Sequence, residues 1–117
     1  MLKRFSRVAV AAMALACAAL AADITGSWEF AVETSQGSGT PSFEFKQDGE
    51  TLTGTYSGQF GSAKLSGTVK GDQVDFTFDV PNVGKAHYKG TLDGAARMKG
   101  KVEYGDLAEG MFTAKRK

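Results

Sequence analysis

The sequence predicts an all-β protein: a single small antiparallel up-and-down β-barrel of about eight strands. Three observations carry this. Apolar and polar residues alternate with a period of two from Trp28 onward, and no stretch beyond the leader supports a helix of ten residues. Four segments read apolar-x-Gly-x-apolar: Leu52–Tyr56, Leu65–Val69, Tyr88–Leu92 and Met98–Val102. Their central glycines (Gly54, Gly67, Gly90 and Gly100) share the inward face with large neighbours. A glycine there marks sharp bending or close backbone approach. Short glycine-containing turns separate the segments, so neighbours pair antiparallel. Closing such a meander removes its exposed edges. A two-sheet sandwich is the alternative that satisfies the same patterns.

Residues 1–22 read as a signal peptide and 23–117 as the barrel domain. Lys3, Arg4 and Arg7 precede an apolar run from Val8 to Leu20, and Ala19-Leu20-Ala21 supplies a small-x-small cleavage site. The expectation is a signal helix, cleavage after Ala21 or Ala22, and a periplasmic or extracellular product with no transmembrane segment. The run is shorter than the roughly 20 apolar residues of a membrane span. Ala14-Leu15-Ala16-Cys17 gives the alternative, a lipid anchor on Cys17. Without the leader's three cations, eleven Lys and Arg face thirteen Asp and Glu, a net charge of −2. The only cysteine is also lost, so the domain must hold by its core alone.

The strands follow in order. Trp28, Phe30 and Val32 alternate with Glu29, Ala31 and Glu33, and the polar stretch Ser35–Thr40 then reads as a loop before Pro41. Phe43 and Phe45 flank Glu44, and Asp48-Gly49 marks a hairpin. Leu52, Gly54 and Tyr56 precede a second loop, Gly58–Ala63. Leu65, Gly67 and Val69 end at Gly71-Asp72. Val74, Phe76, Phe78 and Val80 give the cleanest alternation and stop at Pro81-Asn82. Tyr88, Gly90 and Leu92 run to the turn Asp93-Gly94, and Met98, Gly100 and Val102 follow it. Gly105-Asp106 turns the chain into a last strand with Phe112 and Ala114 inside.

Within this rhythm, ITGSW (Ile24–Trp28), DGETLTGTY (Asp48–Tyr56), KLSGTV and HYKGTL resemble the avidin and streptavidin barrel. The chain is also similar to small glycine-rich exported bacterial domains. The avidin resemblance implies an eight-stranded barrel, but its biotin contacts do not carry over. Phe30 stands where the family has asparagine and Gly58 where it has serine. Trp28 is the only tryptophan, so the later ones that box the ligand are missing. Only Tyr56 matches a family ligand contact.

A barrel of this size is either filled by side chains or holds one small ligand. The inward list is crowded with aromatics, which predicts a filled core, with the four glycines making room for them. The candidate ligand site is one mouth carrying Trp28, Tyr56 and Tyr88. On the outside, a turn at Asp93-Gly94 sets Lys89 opposite Lys99 and His87 opposite Lys101. With Lys85 and Arg97 these form a candidate basic patch for an acidic protein surface or envelope polymer. Nucleic acid is not expected for a mildly acidic exported domain without a recognition motif.

No catalytic residue, metal site or cofactor is expected. One histidine and no mature cysteine cannot build a typical zinc set. Asp75 and Asp79 share a face about 13 Å apart, beyond the roughly 5–9.5 Å of glycosidase carboxylate pairs. The sequence therefore predicts an exported, non-enzymatic binding module. A carrier of a small apolar ligand, and an inhibitor acting through Ser35–Thr40 and Gly58–Ala63, are the alternatives.

Overall fold

A computed structural model describes residues 23–117; residues 1–22, with Cys17 and the expected signal helix, lie outside the described residues. The strands are β1 (Gly26–Thr34), β2 (Gly37–Gly39), β3 (Ser42–Asp48), β4 (Thr51–Gly58), β5 (Gly61–Lys70), β6 (Gln73–Val80), β7 (Gly84–Leu92), β8 (Arg97–Tyr104) and β9 (Ala108–Arg116). All pairings are antiparallel. β1 pairs with β9 from Trp28 opposite Arg116 to Thr34 opposite Gly110, which closes the sheet. That pairing rules out the sandwich. Among the described residues there is no helix, and so none long and apolar enough to cross a membrane.

The strand beyond eight is β2, which is a continuation of β3. Trp28 faces Phe43 on β3, and Val32 faces Gly39 on β2, four residues further along both strands. The register is thus unbroken from β3 into β2. Pro41 has no N–H to contribute to the ladder, yet its carbonyl still accepts from the Phe30 N–H at 3.0 Å. The barrel therefore has eight staves, one of them interrupted at Thr40-Pro41.

Two expected loops are corrected by the same pairing. Only Ser35-Gln36 separates the paired residues Thr34 and Gly37, and only Gln59-Phe60 separates Gly58 from Gly61. A polar, glycine-rich composition was compatible with strand because these segments lie at the rim, where nothing demands an apolar inward face. The β7–β8 connection errs the other way. Asp93–Ala96 spans it, shifting the register by two, so Lys89 faces Lys101 and His87 faces Glu103. The longer loop is held by β9: the Arg116 N–H donates to the Ala96 carbonyl at 2.9 Å and its guanidinium to the Ala95 carbonyl at 3.0 Å.

The alternation read from the sequence sorts the side chains correctly. Trp28, Phe30, Phe43, Phe45, Tyr56, Phe76, Phe78, Tyr88 and Phe112 are all buried. Phe76 stacks on Tyr88 at 5.0 Å between ring centres, and Phe30 on Phe112 at 5.0 Å. Of the reasons expected for the strand glycines, close backbone approach holds at three of the four, and room for an aromatic ring at one. A Cβ on Gly54, Gly67 or Gly100 would lie 2.0, 1.9 and 1.9 Å from the carbonyl oxygens of Glu44, Asp75 and Lys89. The obstacle is the backbone of the next strand; only at Gly90 is a ring nearest, Phe112 at 2.8 Å. Gly110, which the sequence pattern did not single out, meets the Glu33 carbonyl at 1.8 Å.

One end of the barrel is sealed. The Trp28 indole donates to the Ile24 carbonyl at 2.9 Å, and the Arg116 guanidinium sits 5.0 Å from the ring centre. Arg116 also donates to the carbonyls of Thr25 at 2.7 Å and Asp23 at 2.8 Å. It thereby ties the last strand to the segment entering the first. Replacing it with alanine removes the cation–π contact and these hydrogen bonds together. The expected loss is about 2 kcal/mol by urea unfolding, and a loss below about 0.5 kcal/mol, the range of ordinary surface changes, would refute that role.

Candidate functional site

The end opposite the Arg116 seal is open. β4 turns away at Gln59-Phe60, while β2 continues along β1 with no strand on its other side. This leaves a notch in the wall. Behind it lies a cavity of about 300 Å³, bounded by Gly37–Pro41 on one side and Gly58–Phe60 on the other. Val32, Leu107 and Ala108 add apolar wall, and Tyr56 and Tyr104 separate the space from the filled core. No charged side chain lines it.

Both tyrosines are anchored from below. The Tyr56 ring stacks on Phe78 at 4.4 Å, and its oxygen accepts from the Phe60 N–H at 3.4 Å. The Tyr104 hydroxyl is hydrogen-bonded to the Tyr88 hydroxyl. Burial pushes the Tyr88 hydroxyl far above the ordinary phenol range, with Tyr104 beside it adding to the rise. Burial likewise raises Tyr104 and Tyr56, each offset in part by the hydrogen bond it accepts. All three remain neutral at physiological pH.

The three residues grouped from the sequence do not form one site. Tyr56 lines the cavity, Tyr88 lies wholly buried beneath it, and Trp28 is at the opposite end under Arg116. β1 enters the barrel where β4 leaves its turn, so a residue early in β1 and one late in β4 occupy opposite ends. Tyr104 was missed, although it continues the inward alternation Met98, Gly100, Val102. Its parity was the available signal.

The basic patch lies on the outer wall with acidic partners among it. Lys85 pairs with Asp79 at 3.1 Å, His87 with Asp75 at 2.7 Å, and Lys89 stands opposite Asp75. Lys99 faces Thr91 and Thr113, and Arg97 faces Lys115. A depression of about 480 Å³ runs over His87, Lys89, Lys101, Glu103 and Glu109. It is larger than the mouth cavity, but it is an outer-wall furrow whose exposed side chains carry both signs. Ion pairs on such an exposed face contribute little to stability. Among the described residues no three His, Cys, Asp or Glu side chains gather to hold a metal.

No family model and no curated protein matches the chain. Among solved structures it is similar to a redesigned beta barrel, b11L5F_LGL, with TM-score 0.67 and 20% identity over 86% of this chain and 95% of that one. A redesigned beta barrel, mFAP0, bound to DFHBI, aligns with TM-score 0.63 and 20% identity over 80% of this chain and 98% of that one. A fluorescence-activating beta barrel of de novo design aligns with TM-score 0.58 and 17% identity over 80% of this chain and 93% of that one. These likenesses show the eight-stranded barrel. They do not extend to the avidin family.

Proposed function

We propose that this chain is an exported, non-enzymatic barrel that binds one small, largely apolar molecule at its open mouth. The observation that carries the reading is the cavity of about 300 Å³ behind the β2 notch, whose walls mix apolar Val32, Pro41, Phe60, Leu107 and Ala108 with uncharged polar side chains such as Gln36 and Gln59, above two tyrosines at its inner boundary. That combination is the usual make-up of a small-molecule site, and the volume is at the small end of the range. The aromatic core fills the barrel beneath it, so the ligand sits at the rim rather than along the axis. The binding of DFHBI by mFAP0 supports the idea that this architecture accommodates a small-molecule guest. Export is supported by the residue pattern of the leader, and the avidin-like motifs agree with a binding barrel whose biotin contacts have been replaced.

The test uses prodan, a neutral solvatochromic naphthalene dye. Saturable blue-shifted emission with a Kd of about 10 µM is expected for a guest of this size. Ala108→Trp fills the cavity wall and should abolish the signal while leaving the thermal midpoint within a few degrees. Undiminished binding by the filled variant, or no binding by the wild type, would refute the reading.

A further inference from the structure

The two tyrosines at the inner boundary of the cavity also specify what end of a ligand can be buried there. A phenol has one proton to donate and lone pairs to accept with. Tyr88 and Tyr104 share a single hydrogen bond, which uses one of their two protons. If Tyr104 were the donor, the Tyr88 proton would be left inside the barrel, where the hydroxyl of this wholly buried residue has no other hydrogen-bond partner among the described residues. A buried donor without a partner costs about 1–3 kcal/mol. Tyr88 therefore donates and Tyr104 accepts. The stronger upward push on the Tyr88 pKa agrees, since it holds its proton more tightly.

The Tyr104 proton is then left over on the residue that lines the cavity. Tyr56 is in the same position: its oxygen accepts from the Phe60 N–H, and among the described residues its own proton has no protein acceptor. Both oxygens have already accepted once and both protons are unspent. Each hydroxyl at the cavity's inner boundary thus has a proton to offer a guest.

We propose that the mouth cavity selects uncharged ligands whose buried end carries a hydrogen-bond acceptor such as a carbonyl oxygen, received by the Tyr104 and Tyr56 hydroxyls. This rests on the small-ligand reading above and adds the chemistry of the guest. A carboxylate is disfavoured because no cation lines the cavity to compensate its desolvation. A plain hydrocarbon fits the walls but leaves both donors unpaired.

Calorimetric titration of the purified barrel with 2-acetylnaphthalene and with 2-isopropenylnaphthalene, which replaces C=O by C=CH₂ at nearly the same shape, separates these cases. The ketone should bind about tenfold more tightly, and 2-naphthoate more weakly than the ketone. Tyr104→Phe should shrink the ketone preference to about threefold or less while leaving hydrocarbon affinity unchanged, and Tyr56→Phe should reduce it further in the double variant. Thermal melts of each variant report folding independently. Equal affinity for ketone and hydrocarbon would overturn the proposal and leave the small-ligand reading standing. A preference that survives the folded double variant would overturn it too. Failure of all three probes to bind the wild type would remove both.

Discussion

Gly100→Ala should destabilise the barrel by about 3 kcal/mol, and Gly100→Val should leave little folded protein. The added Cβ would sit 1.9 Å from the Lys89 carbonyl oxygen and 2.6 Å from the Gly90 Cα. Both are backbone atoms of the paired strand, so no side chain can rotate away to relieve the clash. Ordinary overpacking costs about 1–3 kcal/mol, and a main-chain obstacle puts this site at the upper end. The sign is diagnostic, because Gly→Ala at an unstrained position commonly gains about 0.4–1 kcal/mol through the unfolded chain. Gly39 is such a position, with its nearest neighbour, the Gln59 side chain, at 3.8 Å. Urea unfolding of Gly39→Ala and Gly100→Ala side by side should give opposite signs. A Gly100→Ala barrel as stable as the wild type would rule out the close approach.

The second large effect is alkaline. The three tyrosines, Tyr56, Tyr88 and Tyr104, are all those in the chain, and burial raises each of them above its ordinary value. In the unfolded chain a phenol ionises near pH 10; in the barrel it does so only at higher pH. Their stabilising contribution is therefore whole below about pH 10 and is lost as pH climbs from there toward the folded values. Each fully protected tyrosine contributes a slope of about 1.4 kcal/mol per pH unit in that window. Tyr88, the most strongly raised of the three, carries that slope furthest, and Tyr104 and Tyr56 add to it, eroding a total stability of only about 5–15 kcal/mol. Phenolate absorbance near 295 nm and loss of the far-ultraviolet circular dichroism should rise together. Phenolate formation near pH 10 in a barrel whose dichroism is unchanged would contradict the buried hydroxyl pair.

Much of the fold was legible because the barrel's inside is a period-two pattern. From Trp28 to Ala114 the alternation assigns the core, and the Gly-centred segments announce curvature. Closure itself needed the β1–β9 ladder, since alternation constrains which face a residue takes and not which strand it meets. Register across β7–β8 was illegible for a related reason. A loop of any even extension keeps every side chain on its proper face, so Leu92 could meet Met98 without violating the pattern. The candidate site was only half visible. Tyr56 could be named from its motif, whereas Tyr104 emerges as its neighbour only when strands far apart in sequence are brought to one rim. Trp28 was drawn into the same group because aromatic residues suggest a box; which end of the barrel each occupies depends on strand direction.

The close approaches at Gly54, Gly67, Gly100 and Gly110 fall at the β3–β4, β5–β6, β7–β8 and β9–β1 seams, every second seam around the barrel. At these four seams main chain is pressed against main chain closely enough to exclude a side chain, whereas the aromatics occupy the space so framed. The frame at these seams is consequently set by backbone contact rather than by the filling. Smaller residues at Phe43 or Phe76 would hollow the interior downward from the existing mouth, at the ordinary cost of a cavity, without asking the frame to change its shape.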